Sequence, residues 1–273
     1  MTGPIVDPDE VAERLGDPTL RVVDVRWYLS APTLGEVRYA EGHVPGAVFL
    51  DLDDDLSDTS VPDAGRHPLP DRQALATRLG EVGIGSGHDV VAYDDAAGSI
   101  AARLWWLLRW LGHERVAVLD GGWPAWVRAG HPVSRVVPDH PPALFAISDP
   151  LATTVGRTDV ADRGDTVLVD ARAPERFRGE VEPVDPVPGH IPGAVNVPTG
   201  AVVGADGRFL APEALADRLA PGIGQRPAIA SCGSGVTACA VILGAVAAGL
   251  PEPALYPGSY SEWSTAGLPV ERA

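Results

Sequence analysis

Residues 42–48 read GHVPGAV, and residues 189–195 read GHIPGAV, so one uncommon pattern occurs twice in the chain. Two further pairs of strings keep the same order: VVDVR at 22–26 with LVDAR at 168–172, and WVRAGHPV at 126–133 with WSTAGLPV at 263–270. Matches that keep their order along a chain are typical of a duplicated domain whose loops have changed length. The sequence therefore predicts two copies of one fold.

A proline-rich stretch separates the two copies. Residues 138–149 read PDHPPALFAISD, and proline resists both helix interiors and central strands. We therefore predict a first domain over residues 1–137, a linker over 138–149 and a second domain over 150–273.

Short apolar runs alternate with helical patterns within each copy. Strands are predicted at 20–25, 89–93, 166–170 and 227–231, and amphipathic helices at 72–79 and 213–219. This alternation predicts an α/β fold in which each domain is a mostly parallel sheet covered by helices on both faces. Ligands of such sheets bind beyond the carboxyl ends of the strands, which draws attention to the residues after Ser231.

Composition excludes several classes of protein. The formal net charge is −16 and all 21 basic residues are arginine, which argues against nucleic acid and anionic membranes as partners. No apolar run is long enough to span a bilayer, and residues 1–10 lack the features of a secretory signal, so we expect a cytoplasmic protein. The two cysteines, Cys232 and Cys239, suit reduced thiols better than a disulfide framework or a zinc site, and no metal is expected.

A candidate nucleophile follows the last predicted strand in the string AIASCGSGVTAC at 228–239. Gly233 and Gly235 permit a tight loop with backbone N–H groups turned inward, and a helix is expected to begin near Val236, capped by Thr237 or Ser234. Such a nest of amides favours negative charge, so it favours the thiolate of Cys232. The competing interpretation is a buried core cysteine, which is the role we expect for Cys239 further along the helix.

The string CGSGVT at 232–237 resembles the six-residue active loop of 3-mercaptopyruvate sulfurtransferases in the rhodanese family, whereas rhodaneses that prefer thiosulfate carry Arg and Lys after the cysteine. Both Asp-x-Arg strings, both Gly-His turns and the LDGG turn at 119–122 extend this resemblance over nearly the whole chain. It implies two tandem rhodanese-like domains and a double displacement in which Cys232 takes sulfur from a small-molecule donor, 3-mercaptopyruvate, and passes it to cyanide, a thiol or a thioredoxin-like acceptor. It implies no cofactor, and it assigns substrate binding to the loop residues Gly233, Gly235, Val236 and Thr237.

The resemblance also implies that one copy is inactive. Asp94 aligns with Cys232, and aspartate is a poor sulfur nucleophile. His43 and His190 occupy the repeated turns of both copies, so we expect them to be structural.

Arg176 matches the family arginine that holds an anionic substrate, as a planar bidentate donor would. A second family arginine normally follows a Glu-Pro pair, but here Val184 follows Glu182-Pro183. The resemblance further implies a proton relay of Ser234, His67 and Asp53, although residues 51–58 are acidic enough to be a simple solvated loop.

Two other functions remain open at this point. Thiosulfate could be the donor in the same mechanism, which the loss of an arginine at Val184 favours and the uncharged Gly233 and Ser234 disfavour. A sulfur-carrier or redox-sensing module that binds a partner protein and turns over poorly is the alternative of a different class.

Overall fold

The computed structural model describes residues 3–224 and 226–273, which group into two compact units. Unit 1 contains the described residues of 1–58, 70–151 and 205–209, and unit 2 contains those of 59–69, 152–204 and 210–273. Residues 59–69 come from the first half of the sequence but group with unit 2.

Unit 1 is built around a parallel sheet with the strand order β1-β5-β4-β2-β3. Its elements in chain order are β1 (Ile5–Val6), α1 (Pro8–Glu13), β2 (Leu20–Asp24), α2 (Leu34–Glu41), β3 (Val48–Phe49), α3 (Arg72–Glu81), β4 (Asp89–Tyr93), α4 (Ala101–Trp110), β5 (Val116–Leu119) and α5 (Gly122–Arg128). Every residue of β2 and β4 is buried, as the continuous apolar runs predict for a parallel sheet covered by helices.

Unit 2 repeats the arrangement with a parallel sheet in the order β7-β6-β8-β9. Its elements are α6 (Arg157–Ala161), β6 (Val167–Asp170), α7 (Pro174–Arg178), β7 (Val195–Asn196), a 3-10 helix (Thr199–Ala201), α8 (Pro212–Leu219), β8 (Ala228–Ser231), α9 (Ala238–Ala247), β9 (Ala254–Leu255) and α10 (Ser259–Thr265). The first eight residues of α9 are all buried, which fits its almost entirely apolar sequence. The predicted α/β fold with parallel sheets is confirmed, and the four predicted strands agree with β2, β4, β6 and β8 to within one residue at each end.

The Asp-x-Arg strings have the same structural role in both units. Arg26 pairs with Asp24 at 2.5 Å and donates to the Gly42 carbonyl at 2.8 Å. Arg172 pairs with Asp170 at 2.7 Å and donates to the Gly189 carbonyl at 2.7 Å. These buried pairs tie the end of a central strand to the turn that opens each GH(V/I)PGAV string.

The two repeated histidines are buried in those turns and bound to main-chain carbonyls. His43 Nδ1 lies 2.8 Å from the Tyr39 oxygen, and His190 Nδ1 lies 2.7 Å from the Phe177 oxygen. Each ring also stacks on an aromatic neighbour, at centroid distances of 4.0 Å for Tyr39 and 3.8 Å for Phe177. Because each histidine bonds through Nδ1 to a main-chain carbonyl and stacks on an aromatic ring in its own copy, the role is structural, as expected from the sequence.

Candidate active site

Cys232 directly follows β8, at the carboxyl end of one of the two central strands of unit 2. Its side chain is buried, with the whole residue 1% exposed, and the Gly235 N–H points to its sulfur at an N to Sγ distance of 3.2 Å. Gly235 has a φ of +75°, and a side chain there would collide with the Pro257 carbonyl. Glycine at 235 is therefore required for the tight loop that the sequence predicts.

The segment before and into α10 fixes the backbone of this loop. The Cys232 N–H donates to Ser259 Oγ at 3.0 Å, and the Cys232 carbonyl accepts from the Tyr260 N–H at 3.0 Å. The Gly233 carbonyl accepts from the Ser261 N–H at 2.9 Å. Ser259 is fully buried at a φ of +50°, a conformation that nothing in its sequence context indicates, and sequence reasoning missed it.

The predicted helix start after the cysteine was wrong by two residues. Helix α9 begins at Ala238, and Thr237 is its N-cap residue but makes no side-chain capping bond. Ser234 does not cap the helix either, because its Oγ lies 2.7 Å from His67 Nδ1.

Ser234 and His67 form a buried hydroxyl–imidazole pair within unit 2. His67 belongs to residues 59–69, the segment from the first half of the sequence that groups with unit 2. A hydroxyl bonded to imidazole can pass a proton to or from a ligand near neutral pH.

Asp53, the third member of the predicted relay, belongs to unit 1. Its carboxylate accepts the indole N–H of Trp27 at 2.9 Å, and the nearby Asp51 accepts the Asp53 N–H at 2.7 Å. Burial raises the pKa of Asp51, so this acidic stretch is partly packed rather than wholly solvated. The relay role of Asp53 stays a prediction.

Arg176 is the middle residue of the short helix α7 and bonds to two carboxylates. Its Nη2 is 2.6 Å from Glu182 Oε1 and 3.0 Å from Asp185 Oδ2. Burial opposes the charge of Glu182, but the Arg176 hydrogen bond and the N–H groups of Asp185 and Val184 lower its pKa. Glu182 therefore orients Arg176 as a fixed anion.

Arg66 is a site residue that the sequence analysis missed. A Cβ placed on Gly233 would lie 2.7 Å from Arg66 Nη2, so this guanidinium sits against the residue that follows Cys232. Arg66 Nη1 forms an ion pair with Asp185, the same carboxylate that binds Arg176. Its only sequence signal is its position next to His67, because the approach to Gly233 is made by the fold.

Backbone donors of the loop remain open within the described residues. The N–H groups of Gly233, Ser234, Val236 and Thr237 donate to no other group of residues 3–224 and 226–273. Open amides beside a cysteine suit a ligand or intermediate that carries negative charge.

Unit 1 has an aspartate at the corresponding place. Asp94 directly follows β4, is fully buried and accepts four backbone N–H groups at 2.7–2.9 Å, from Ala96, Gly98, Ile100 and Ala101. A carboxylate held this way offers no sulfur nucleophile.

The remaining predicted residues are also described. Cys239 is fully buried in α9, where its Sγ donates to the Gly235 carbonyl at 3.4 Å, in keeping with a core residue that supports the loop. Arg178 is exposed and pairs with Glu180 at 2.7 Å, as expected of a surface arginine.

A family model and two relatives of known sequence all place this chain in the same protein family. The model described as "Rhodanese-like domain" matches residues 7–129 and 158–266. A probable 3-mercaptopyruvate sulfurtransferase of Pseudomonas aeruginosa is 44% identical over 275 residues, covering 96% of this chain and 95% of its own length. A putative thiosulfate sulfurtransferase of Mycobacterium tuberculosis is 45% identical over 257 residues, covering 92% of this chain and 89% of its own length.

A solved structure agrees in fold. The 3-mercaptopyruvate sulfurtransferase of Leishmania major superposes with a TM-score of 0.87 at 31% identity, covering 97% of this chain and 75% of that protein.

Proposed function

The chain belongs to the rhodanese family, and we propose that it is a sulfurtransferase that moves sulfur from 3-mercaptopyruvate to a thiophilic acceptor through a persulfide on Cys232. The donor has to be argued from the site, because the relatives at 44% and 45% identity are named for different donors. The observation that carries the proposal is the Ser234–His67 pair in the loop of Cys232.

In the first half-reaction, the Cys232 thiolate attacks the sulfur of 3-mercaptopyruvate. A sulfur–sulfur bond forms while the carbon–sulfur bond breaks, and the electron pair of that bond passes to the pyruvate enolate. The thiol proton of the donor ends on the enolate carbon, so the products are pyruvate and a Cys232 persulfide anion. Ser234 and His67 are the proposed carriers of that proton, and Asp53 is the proposed third member of their relay.

The loop holds the charge that this step creates. Gly233, Gly235, Val236 and Thr237 contribute backbone N–H groups without side-chain charge, and Arg176 supplies a guanidinium for the donor's carboxylate. Thiosulfate is a dianion that yields no enolate, so it would gain nothing from the Ser234–His67 pair.

In the second half-reaction, an acceptor takes the outer sulfur of the persulfide. Cyanide leaves as thiocyanate, and a thiol or thioredoxin-like protein leaves as its own persulfide, which returns Cys232 to the thiolate. The proposed compartment is the cytoplasm. Within the described residues, no helix is long and apolar enough to cross a membrane.

The proposal assigns different roles to the two copies. Residues 150–273 form the catalytic domain with Cys232, and residues 138–149 form the linker. Residues 1–137 form a copy that is inactive as a sulfur carrier, because Asp94 stands at the cysteine position, although this half of the chain supplies His67 and Asp53 to the proposed relay. The linker falls between the two stretches that the family model matches.

The test is kcat/KM for 3-mercaptopyruvate and for thiosulfate, with cyanide as the common acceptor. We expect 3-mercaptopyruvate to be preferred by about tenfold or more, which requires only about 1.4 kcal/mol of differential transition-state binding. A preference for thiosulfate would overturn the assignment of 3-mercaptopyruvate as the donor. Failure to turn over either donor would favour the alternative function, a sulfur-carrier or redox-sensing module.

A further inference from the structure

We propose that unit 1 contains a second ligand site, separate from Cys232, which binds a free α-amino acid with an apolar side chain. The site is a cavity of about 510 Å³, and its lining residues belong to unit 1. Arg26 binds the carboxylate of the amino acid, and Asp95 binds its ammonium group. Two groups of opposite charge in one cavity are what a zwitterion requires.

The cavity lies at the carboxyl ends of β2 and β4, which is where parallel sheets bind their ligands. Arg26 follows the last residue of β2 by two positions, and Asp95 follows the last residue of β4 by two. Leu34 and Arg38 line the cavity from α2, and Trp123 lines it from α5. The fold therefore brings polar groups from two strand ends together with apolar surface from two helices.

Arg26 is nearly fully buried, with its side chain 3% exposed, but one of its nitrogens has no partner. Its Nε and Nη2 bind the carboxylate of Asp24, and Nη2 also donates to the Gly42 carbonyl. Its Nη1 carries two N–H groups and donates to no group of residues 3–224 and 226–273. A buried guanidinium that lines a cavity with two unused N–H groups is suited to an anionic ligand group.

The corresponding arginine of unit 2 shows which chemical group fits at this nitrogen. Arg172 binds Asp170 and the Gly189 carbonyl, in the same pattern as Arg26. In addition, Arg172 Nη1 donates to a carboxylate, with Glu182 Oε2 at 3.3 Å. No carboxylate of the described residues takes that place at Arg26. The carboxylate of a ligand would make in unit 1 the contact that Glu182 makes in unit 2.

Asp95 supplies the acceptor for a cationic group. Its Oδ2 accepts the Tyr28 hydroxyl at 2.5 Å, whereas its Oδ1 accepts from no group in the described parts of the chain. Burial and this hydrogen bond raise the pKa of Tyr28 to about 12, so Tyr28 donates to Asp95 throughout the neutral range. Burial opposes the charge of Arg26, but Asp24 and, less strongly, Tyr93 and Asp95 raise the pKa of Arg26. Arg26 and Asp95 therefore lie close enough to bind one small molecule.

The charges around the cavity favour a zwitterion over a simple ion. Asp24 neutralises Arg26. Glu41 neutralises Arg38, at a distance of 2.7 Å between Oε2 and Nη1. The charge of Asp95 has no such ionic partner among the described contacts, so it repels a simple anion, as does the net charge of −16. A simple cation would leave the buried N–H groups of Arg26 unused. An α-amino acid satisfies both groups.

The remaining lining determines the side chain of the ligand. Leu34, Trp123 and Val133 present apolar surface to the cavity. The Arg26 guanidinium lies 4.8 Å from the ring centroid of Trp123, so the carboxylate site and the apolar surface adjoin. An amino acid with a branched apolar side chain, such as L-leucine, can bury that side chain while its charged groups bind Arg26 and Asp95.

The experiment is isothermal titration calorimetry of the full chain with L-leucine and two analogues. We expect L-leucine to bind with a dissociation constant of about 1 mM or lower, within the range that so small a ligand can reach. Isocaproate is the same skeleton without the ammonium group, and isoamylamine is the same skeleton without the carboxylate. Each should bind at least about tenfold more weakly, because Asp95 or Arg26 then lacks its partner.

The analogues test Arg26 without substituting it, because Arg26 also ties β2 to the turn at Gly42. An isoamylamine affinity equal to that of L-leucine would overturn the role of Arg26, and an equal isocaproate affinity would overturn the role of Asp95. No detectable binding of L-leucine at about ten times the expected dissociation constant would overturn the whole proposal.

Two variants locate the binding in this cavity, each with a matched control on α2. Asp95→Asn should weaken L-leucine binding about tenfold, whereas Glu36→Gln removes the same charge from an exposed residue outside the lining and should change nothing. Leu34→Trp fills the cavity and should weaken binding at least about tenfold, whereas Val37→Trp alters a residue that is 50% exposed and outside the lining. Unchanged affinity in either Asp95→Asn or Leu34→Trp would place the ligand elsewhere and overturn the proposal.

Discussion

The loops that follow β4 and β8 occupy corresponding places in the two units, but they differ in how their backbone N–H groups are hydrogen-bonded. In unit 1, the carboxylate of Asp94 fills its own nest and accepts four backbone N–H groups. In unit 2, the sulfur of Cys232 accepts one N–H at 3.2 Å, and four other N–H groups of the loop stay open within the described residues. The N–H groups of the first loop bind a carboxylate that belongs to the chain itself, whereas those of the second loop are available to bind an anionic ligand.

The difference extends to the neighbouring positions. Counting from Asp94 and Cys232, Ala96 stands where Ser234 supplies a hydroxyl, and Asp95 stands where Gly233 makes room for Arg66. Ala97 at a φ of +54° corresponds to Gly235 at +75°, so the backbone turn itself is kept. Duplication therefore preserved a loop geometry that favours anions, and side chains decided whether it reacts.

The largest effect is expected on stability, from Asp94→Ala. Removing the carboxylate leaves four buried N–H groups without a partner, which we expect to lower the free energy of unfolding by about 3 kcal/mol. Cys232→Ala should cost less than about 1.5 kcal/mol, because one N–H loses a weak acceptor. Denaturation is followed by far-UV circular dichroism, to which the helices and strands of both units contribute, because tryptophan fluorescence would report mainly on unit 1, which contains every tryptophan except Trp263. Equal losses in the two variants would contradict the contrast between a filled and an open nest.

The next effect is expected on catalysis, from His67→Gln. With 3-mercaptopyruvate as donor, kcat should fall about 100-fold, because the enolate loses its proton carrier. Discharge of a preformed persulfide by cyanide requires no such proton and should change less than about threefold. Stopped-flow measurement of each half-reaction separates the two. An equal loss in both would mean that His67 only supports the loop.

A smaller effect is expected when unit 2 receives the residue that unit 1 has after its strand. Gly233→Asp places a carboxylate against Arg66 and Arg176. Iodoacetate is an anion and iodoacetamide is neutral, so the ratio of their rate constants for alkylation of Cys232 should fall about tenfold. Gly233→Asn has nearly the same volume without the charge, so its ratio should fall less. If both variants gave the same ratio, crowding rather than charge would govern this position.

The sequence predicted the elements whose cause is local. The buried runs of β2, β4, β6 and β8 and the glycine turn at 235 follow from composition and backbone freedom, and each is found where it was expected. Ser234 does not cap α9 as one of the predicted alternatives had it, because its hydroxyl is engaged by His67, a contact that no local pattern reveals. Capping rules describe a side chain without competing partners.

Arg66 shows the other limit of sequence reasoning. It stands 167 positions before Gly233 in the chain and is brought against it only because residues 59–69 group with unit 2. Asp185 was missed for the same reason, since its two arginine partners come from separate segments. Charges that meet through tertiary packing need the fold before they can be paired.

The central claim is that Cys232 carries sulfur, and the mass of the protein after incubation with donor alone tests it most directly. Wild type should gain one sulfur, about 32 Da, as a persulfide intermediate requires. The gain should be absent in Cys232→Ser and retained in Cys239→Ser, the matched control for the second buried thiol. A gain that persists in Cys232→Ser, or that disappears with Cys239, would contradict the account.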